Sequence, residues 1–185
     1  MSAAQIDEWL PHFQVRARYS IVVRAPVSKT YAALASAKFS NLTTVRSLMR
    51  LRGYRLEGGQ IATPGLAESS SRYGSFLQLA AIPEQEVLVG IAGRFWRPDG
   101  GIVHGLSPAT FRDFQQDGYA KAVWNFLIAP ANGSTCLSTE TRVQTFGRSA
   151  TFKFRLYWAA VGPFSGLMRK AMLREVKRIA EQTAA

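Results

Sequence analysis

Apolar and polar residues change period several times along the chain, and each change marks an expected element. RYSIVVRAP (Arg18 to Pro26) is rich in β-branched residues and predicts a strand. The following VSKTYAALAS brings Val27, Tyr31 and Leu34 onto one side of a helix. A second short helix is expected over Leu42 to Leu51, with Val45, Leu48, Met49 and Leu51 as its apolar side and Gly53 as its stop. The period then shortens. SFLQLAAIP and EVLVGIAGRFW are apolar runs parted by Pro83 and Glu84, and both predict strands, the second ending at the turn RPDGG. In SPATFRDFQQ, Ser107 stands as a cap and Pro108 at the first helical position, which predicts a short helix. GYAKAVWNFLIAP and GSTCLSTETRVQTF predict two long strands joined at Asn132-Gly133, a strong hairpin signal.

Within LSTETRV a period of two sets Leu137, Thr139, Thr141 and Val143 against Ser138, Glu140 and Arg142. From Arg148 onward, Phe154, Trp158, Val161, Leu167, Met168, Ala171, Met172, Val176 and Ile179 recur at the spacing of an amphipathic helix. Gly162-Pro163 predicts a kink or break there, followed by a second long segment. In FKFRLYW the same projection groups Phe154, Tyr157, Trp158 and Val161 and leaves Lys153 and Arg155 on the flanks. Platforms for nucleic acid need bases and stacking rings on one accessible surface, so this arrangement argues for closure of a cavity instead.

A length of 185 residues suits one domain (1–185), with residues 1–15 as an N-terminal extension. No apolar run reaches the roughly 20 residues a membrane span needs. The acidic start MSAAQIDEWLPHFQ lacks the basic and apolar regions of a secretory signal, so the cytoplasm is the expected location. One cysteine, Cys136, and two histidines, His12 and His104, offer no metal-ligand spacing. Phosphate loops, dinucleotide fingerprints and the Gly-x-Ser-x-Gly elbow are also missing from the sequence, and no metal or cofactor is expected. Charge changes the picture more. The chain carries a net +11, and the segment from Arg148 holds eight bases against two acids. That excess is either the solvated face of the long helix or a weak contact with an anionic membrane surface.

The order of strand, two short helices, antiparallel strands and long terminal helix resembles the helix-grip fold of the START, Bet v 1 and polyketide-cyclase (SRPBCC) superfamily. The resemblance lies in YSIVVRAPVSKTYAALAS, GSTCLSTETRV and FRLYWAAVGPFSGLMRKAMLREVKRIAE, covering roughly Arg16 to Gln182. With GRFWRP (Gly93 to Pro98), the last two blocks are similar to a group of bacterial members without an assigned activity. It implies an α+β domain in which a curved antiparallel sheet wraps around the C-terminal helix, with a largely apolar cavity between them. No catalytic residue carries over.

Polar groups on apolar strands are the candidate chemistry, since a cavity tolerates them only when bonded or paired. Arg94 and Trp96 are expected on one face of a strand, Asn125 interrupts VWNFL, and Glu140 and Arg142 share a face. Facing inward, Arg94 or Arg142 would bind a carboxylate, phenolate or enolate, with Glu140 fixing the arginine or acting as a base. Facing outward, they would be weak cross-strand pairs. Trp96, Trp124, Tyr157 and Trp158 are either pocket lining or core. Two readings of function follow: binding or transport of a small hydrophobic molecule such as a lipid, polyketide or aromatic metabolite, or a cyclase, aromatase or dehydratase working through Glu140, Arg94 or a tyrosine. A basic module for nucleic acid or membrane stands behind them.

Overall fold

The computed structural model describes residues 5–39, 42–43 and 76–182. In chain order it holds helix α1 (Gln5–Trp9), strand β1 (Val15–Val23), helix α2 (Val27–Ser36), strands β2 (Leu77–Ile82) and β3 (Glu86–Gly93), helix α3 (Pro108–Asp113), strands β4 (Ala120–Ala131) and β5 (Ser134–Thr145), and helix α4 (Arg148–Gln182). The strands form one curved antiparallel sheet in the order β1-β5-β4-β3-β2, and α4 packs across its inner face. This is a helix-grip fold.

Local chemistry sets the joints. Asn132 and Gly133 take positive φ values of 44° and 77°, the left-handed backbone that a two-residue hairpin between β4 and β5 requires. At the head of α3 the Ser107 hydroxyl accepts from the Thr110 N–H at 3.2 Å, and the Thr110 hydroxyl accepts from the Ser107 N–H at 2.8 Å, with Pro108 next in line. β1 starts at Val15, three residues before the expected strand. Its whole length pairs with β5, from Val15 opposite Val143 to Val23 opposite Thr135.

The inner face carries two adjoining clusters. Val23, Val87, Val89, Phe126, Ile128 and Leu137 meet Leu34 of α2 and Met172, Leu173, Val176 and Ala180 of α4. Towards the start of α4, Ile91, Ala120, Ala122 and Val143 meet Phe154, with Trp96, Tyr157 and Trp158 packed alongside. The outer face is covered as well. Leu79, Leu88, Ala92 and Val123 lie under Ile6, Trp9 and Leu10 of the N-terminal segment and Phe111 of α3. Residues 5–10, within the segment read as an N-terminal extension, therefore pack against the sheet, and β3, covered on both faces, is buried at every position. Gly90 makes this possible, because a Cβ there would stand 2.8 Å from both Leu79 and Phe111.

Three expectations change. Helix α4 runs unbroken from Arg148 to Gln182 with Pro163 inside it, so the predicted second segment does not separate. Proline removes one helical donor, Pro163 is exposed, and the stripes on both sides of it are pinned to the same sheet. Leu167, expected inward, is 56% exposed. The strand expected to reach Trp96 ends at Gly93, where the Arg94 N–H bonds the carbonyls of Gly100 and Gly101 and folds RFWRPDGG into turns. The helix expected over Leu42 to Leu51 lies outside the described residues except at Leu42 and Thr43.

Candidate functional site

Residues spaced three and four apart on α4, namely Gly166, Arg169, Leu173, Val176 and Ala180, are buried. Gly166 fits because its bare backbone receives the Tyr19 hydroxyl, which any Cβ would strike. One turn later Arg169 enters the same space. It is 7% exposed, and its guanidinium carbon stands 5.0 Å from the centroid of the Trp124 ring. Trp124 in turn meets Phe76 edge to face at 5.1 Å. The sheet register explains the grouping. Thr141 is opposite Trp124, and Thr139 is opposite both Tyr19 and Phe126, so the Thr139 and Thr141 side chains line a strip between Tyr19 on β1 and Trp124 on β4. Trp96, Tyr157 and Trp158 continue this inner side towards the start of α4. All six aromatic residues, Tyr19, Phe76, Trp96, Trp124, Tyr157 and Trp158, remain partly accessible to solvent.

Among the described residues Arg169 has no counter-charge. No acceptor meets its Nε, and no carboxylate among the described residues pairs with it. Burial pulls its pKa down to about 10, against a smaller upward influence from Tyr19, which leaves it a cation at neutral pH. The other buried cations are provided for. Lys121 donates to the Arg112 carbonyl at the end of α3 at 2.9 Å, and Arg142 has a full set of partners.

Those partners lie on the outer face, which corrects the placement of three expected site residues. Arg142 donates from Nε to Glu140 at 2.7 Å, from Nη2 to Asp7 at 2.6 Å and from Nη1 to the Leu10 carbonyl at 3.2 Å. Glu140 also accepts from Arg16 at 2.8 and 3.0 Å. The Asn125 amide donates to Glu86 at 2.6 Å and accepts from the Glu140 N–H at 2.8 Å. The period of two that groups Glu140 with Arg142 is real, but their face meets α1 and points away from α4. They are neither groups of the sheet–helix space nor weak surface pairs; they join the N-terminal segment to the sheet. Arg94 stands at the end of β3 with its guanidinium 4.2 Å from the Tyr119 ring centroid and its Nε without an acceptor. It shares no strand face with Trp96.

Of the expected residues, Trp96, Trp124, Tyr157 and Trp158 thus come together on the inner side, while Asn125, Glu140 and Arg142 form the outer network. Arg169, Tyr19 and Phe76 were missed. Arg169 lies within RKAMLREVKR, part of the basic segment read as a solvated helix face or a weak contact with an anionic surface. Its signal was its place on the stripe that continues through Leu173, Val176 and Ala180. A cleft of about 40 Å³ among Phe76, Gly90, Val103, Leu106 and Phe111 has room for little more than water and includes neither Arg169 nor Trp124. Among the described residues no group of three or more His, Cys, Asp or Glu could hold a metal ion.

No protein-family profile matches the chain, and no curated protein is similar to it. Solved structures are. The di-domain aromatase/cyclase BexL from the BE-7585A biosynthetic pathway is similar over 90% of this chain and 50% of its own, at 12% identity and a TM-score of 0.41. Protein CV1439 from Chromobacterium violaceum covers 90% of this chain and 96% of its own at 13% identity and a TM-score of 0.40. TTHA0849 from Thermus thermophilus covers 92% and 100% at 7% identity and a TM-score of 0.37. Likeness at this level concerns the fold and carries nothing about chemistry.

Burial raises the pKa of Glu140, but hydrogen bonds and charge from Arg16 and Arg142 outweigh it and hold the carboxyl below its ordinary value. Its contribution to stability is therefore present above the unfolded pKa and is lost as pH falls through the folded one. Glu140→Gln leaves Arg142 without its buried acid and with only the exposed Asp7, and urea unfolding at pH 7 is expected to show a loss of about 3–5 kcal/mol. The difference from the parent protein should close in acid, where the parent carboxyl is itself neutral.

Proposed function

We propose that the protein binds a small hydrophobic molecule between the inner face of the sheet and α4. The observation that carries this reading is the set of inward-facing aromatic residues that stay partly accessible around Trp124, where a closed core would seal them. Pockets for small molecules are commonly apolar and aromatic with few polar groups, which fits this composition. Binding by apolar burial yields about 25 cal/mol per Å² before the costs of association. A lipid, a polyketide or an aromatic metabolite would meet these terms. A cyclase-type enzyme is the second reading; its acid–base group would be Tyr19, which acts on Arg169 electrostatically and lies against Gly166, because Glu140 faces the other way.

Titration with neutral N-phenyl-1-naphthylamine is expected to give saturable fluorescence at one molecule per chain, and native mass spectrometry of the purified protein should show at most one small molecule bound. No saturable binding and a bare mass would contradict the reading.

The outer side of α4 suggests where such a protein would meet its source of ligand. Phe152, Leu156, Phe164 and Leu167 are 64%, 61%, 45% and 56% exposed, with Lys153, Arg155, Lys170 and Arg174 exposed beside them. We infer that this face makes a reversible contact with an anionic membrane. At about 1 kcal/mol per base near such a surface, the charges alone give weak attachment and the apolar stripe must add to it. Co-sedimentation with phosphatidylserine-containing vesicles at low salt is expected, reduced by Leu156→Asp and absent with neutral vesicles. Failure to sediment with anionic vesicles would remove this element and leave the binding site untouched.

A further inference from the structure

A buried arginine usually lies with an acid, and in this chain Arg142 obeys that rule with two carboxylates and two backbone carbonyls. Arg169 is as deeply buried, at 7% against 5% exposure, but no acceptor meets its Nε and no acid among the described residues pairs with it. One face of its guanidinium is met by Trp124 at 5.0 Å, which satisfies the cation in part but uses none of its N–H donors. Those donors lie in the plane of the group, along its edge, in the fork geometry that a carboxylate matches with two parallel hydrogen bonds.

Resting on the hydrophobic-ligand reading above, we propose that Arg169 is the anchor for an anionic head group, so that the ligand is an organic monoanion: a carboxylate, phenolate or enolate on an apolar body. The surroundings define both parts. The head group meets the Arg169 edge near the Tyr19 hydroxyl, which is placed by its fit against Gly166. The body lies along Trp124 and Phe76, whose edge-to-face pair offers flat apolar surface. The Thr139 hydroxyl is already committed to the Asn125 carbonyl at 2.6 Å and adds no competing donor. A single cation in a site without counter-charge favours a single negative charge; a neutral ligand leaves the guanidinium unpaired, and a doubly charged one buries an excess anion.

The test uses two probes with the same fluorescent body, 1-anilinonaphthalene-8-sulfonate and neutral N-phenyl-1-naphthylamine, the sulfonate standing in for the carboxylate. The protein is expected to bind the anionic probe about tenfold more tightly, the ratio that one charge-assisted contact supplies. Arg169→Met should abolish that preference while neutral-probe affinity stays within about threefold. Arg148→Gln removes an exposed charge from the same helix, outside the membrane-contact face, and should leave both affinities unchanged. If the parent binds both probes equally, if Arg169→Met keeps the preference, or if Arg148→Gln reproduces its loss, the anchor is overturned while hydrophobic binding stands. If neither probe binds, the sheet–helix site itself is refuted, and the anchor with it.

Discussion

The structure turns on one unmet requirement: a guanidinium removed from water with no acid among the described residues to receive it. Arg169 projects from the buried stripe of α4 into the space above Trp124, and the fold holds it there from both ends. Val176 and Ala180 fix the helix on one side and Phe154 with its aromatic neighbours on the other. Desolvation of a charge is costly enough that proteins pair it, hydrate it or leave it at the surface. Here the fold spends stability on a charge in the middle of its inner face, and a ligand that pairs with it would recover that cost.

Seen from the other side of the sheet, the contrast sharpens. The outer network has Glu86, Asn125, Glu140 and Arg142 buried and Arg16 and Asp7 at its exposed rim, yet its groups are hydrogen-bonded, and it secures the N-terminal segment over β3, β4 and β5. Its polar groups are therefore explained by structure. Only a sheet covered on both faces allows this division, with a saturated polar cluster outside and an unsaturated cation inside.

Much of the fold was legible because local rules dominate at the joints: Ser107 and Pro108 at a helix start, Asn132-Gly133 at a hairpin, period two in LSTETRV and period near 3.6 after Arg148. Pro163 misled because its effect depends on what flanks it; with packed stripes on either side, one missing donor does not divide the helix. The site was less legible. Period two correctly paired Glu140 with Arg142, but a sequence does not say which face of a strand is covered by what, and the outer cover came from residues 5–10, far away in the chain. Arg169 was hidden by its neighbours, since Arg and Lys in succession read as surface even when one of them occupies the buried line.

The central claim is that Arg169 is a buried, uncompensated cation, and the stability of the unliganded protein against pH tests it most directly. Its folded pKa of about 10 lies below the ordinary guanidinium value, so the destabilising contribution is fully present below pH 10 and fades as pH rises towards the unfolded value. Arg169→Met should therefore be more stable than the parent near neutral pH, on the order of 3 kcal/mol by denaturant unfolding, with the advantage shrinking above pH 10. A less stable variant at neutral pH would contradict the account, because it would mean that the guanidinium already has the partners it needs.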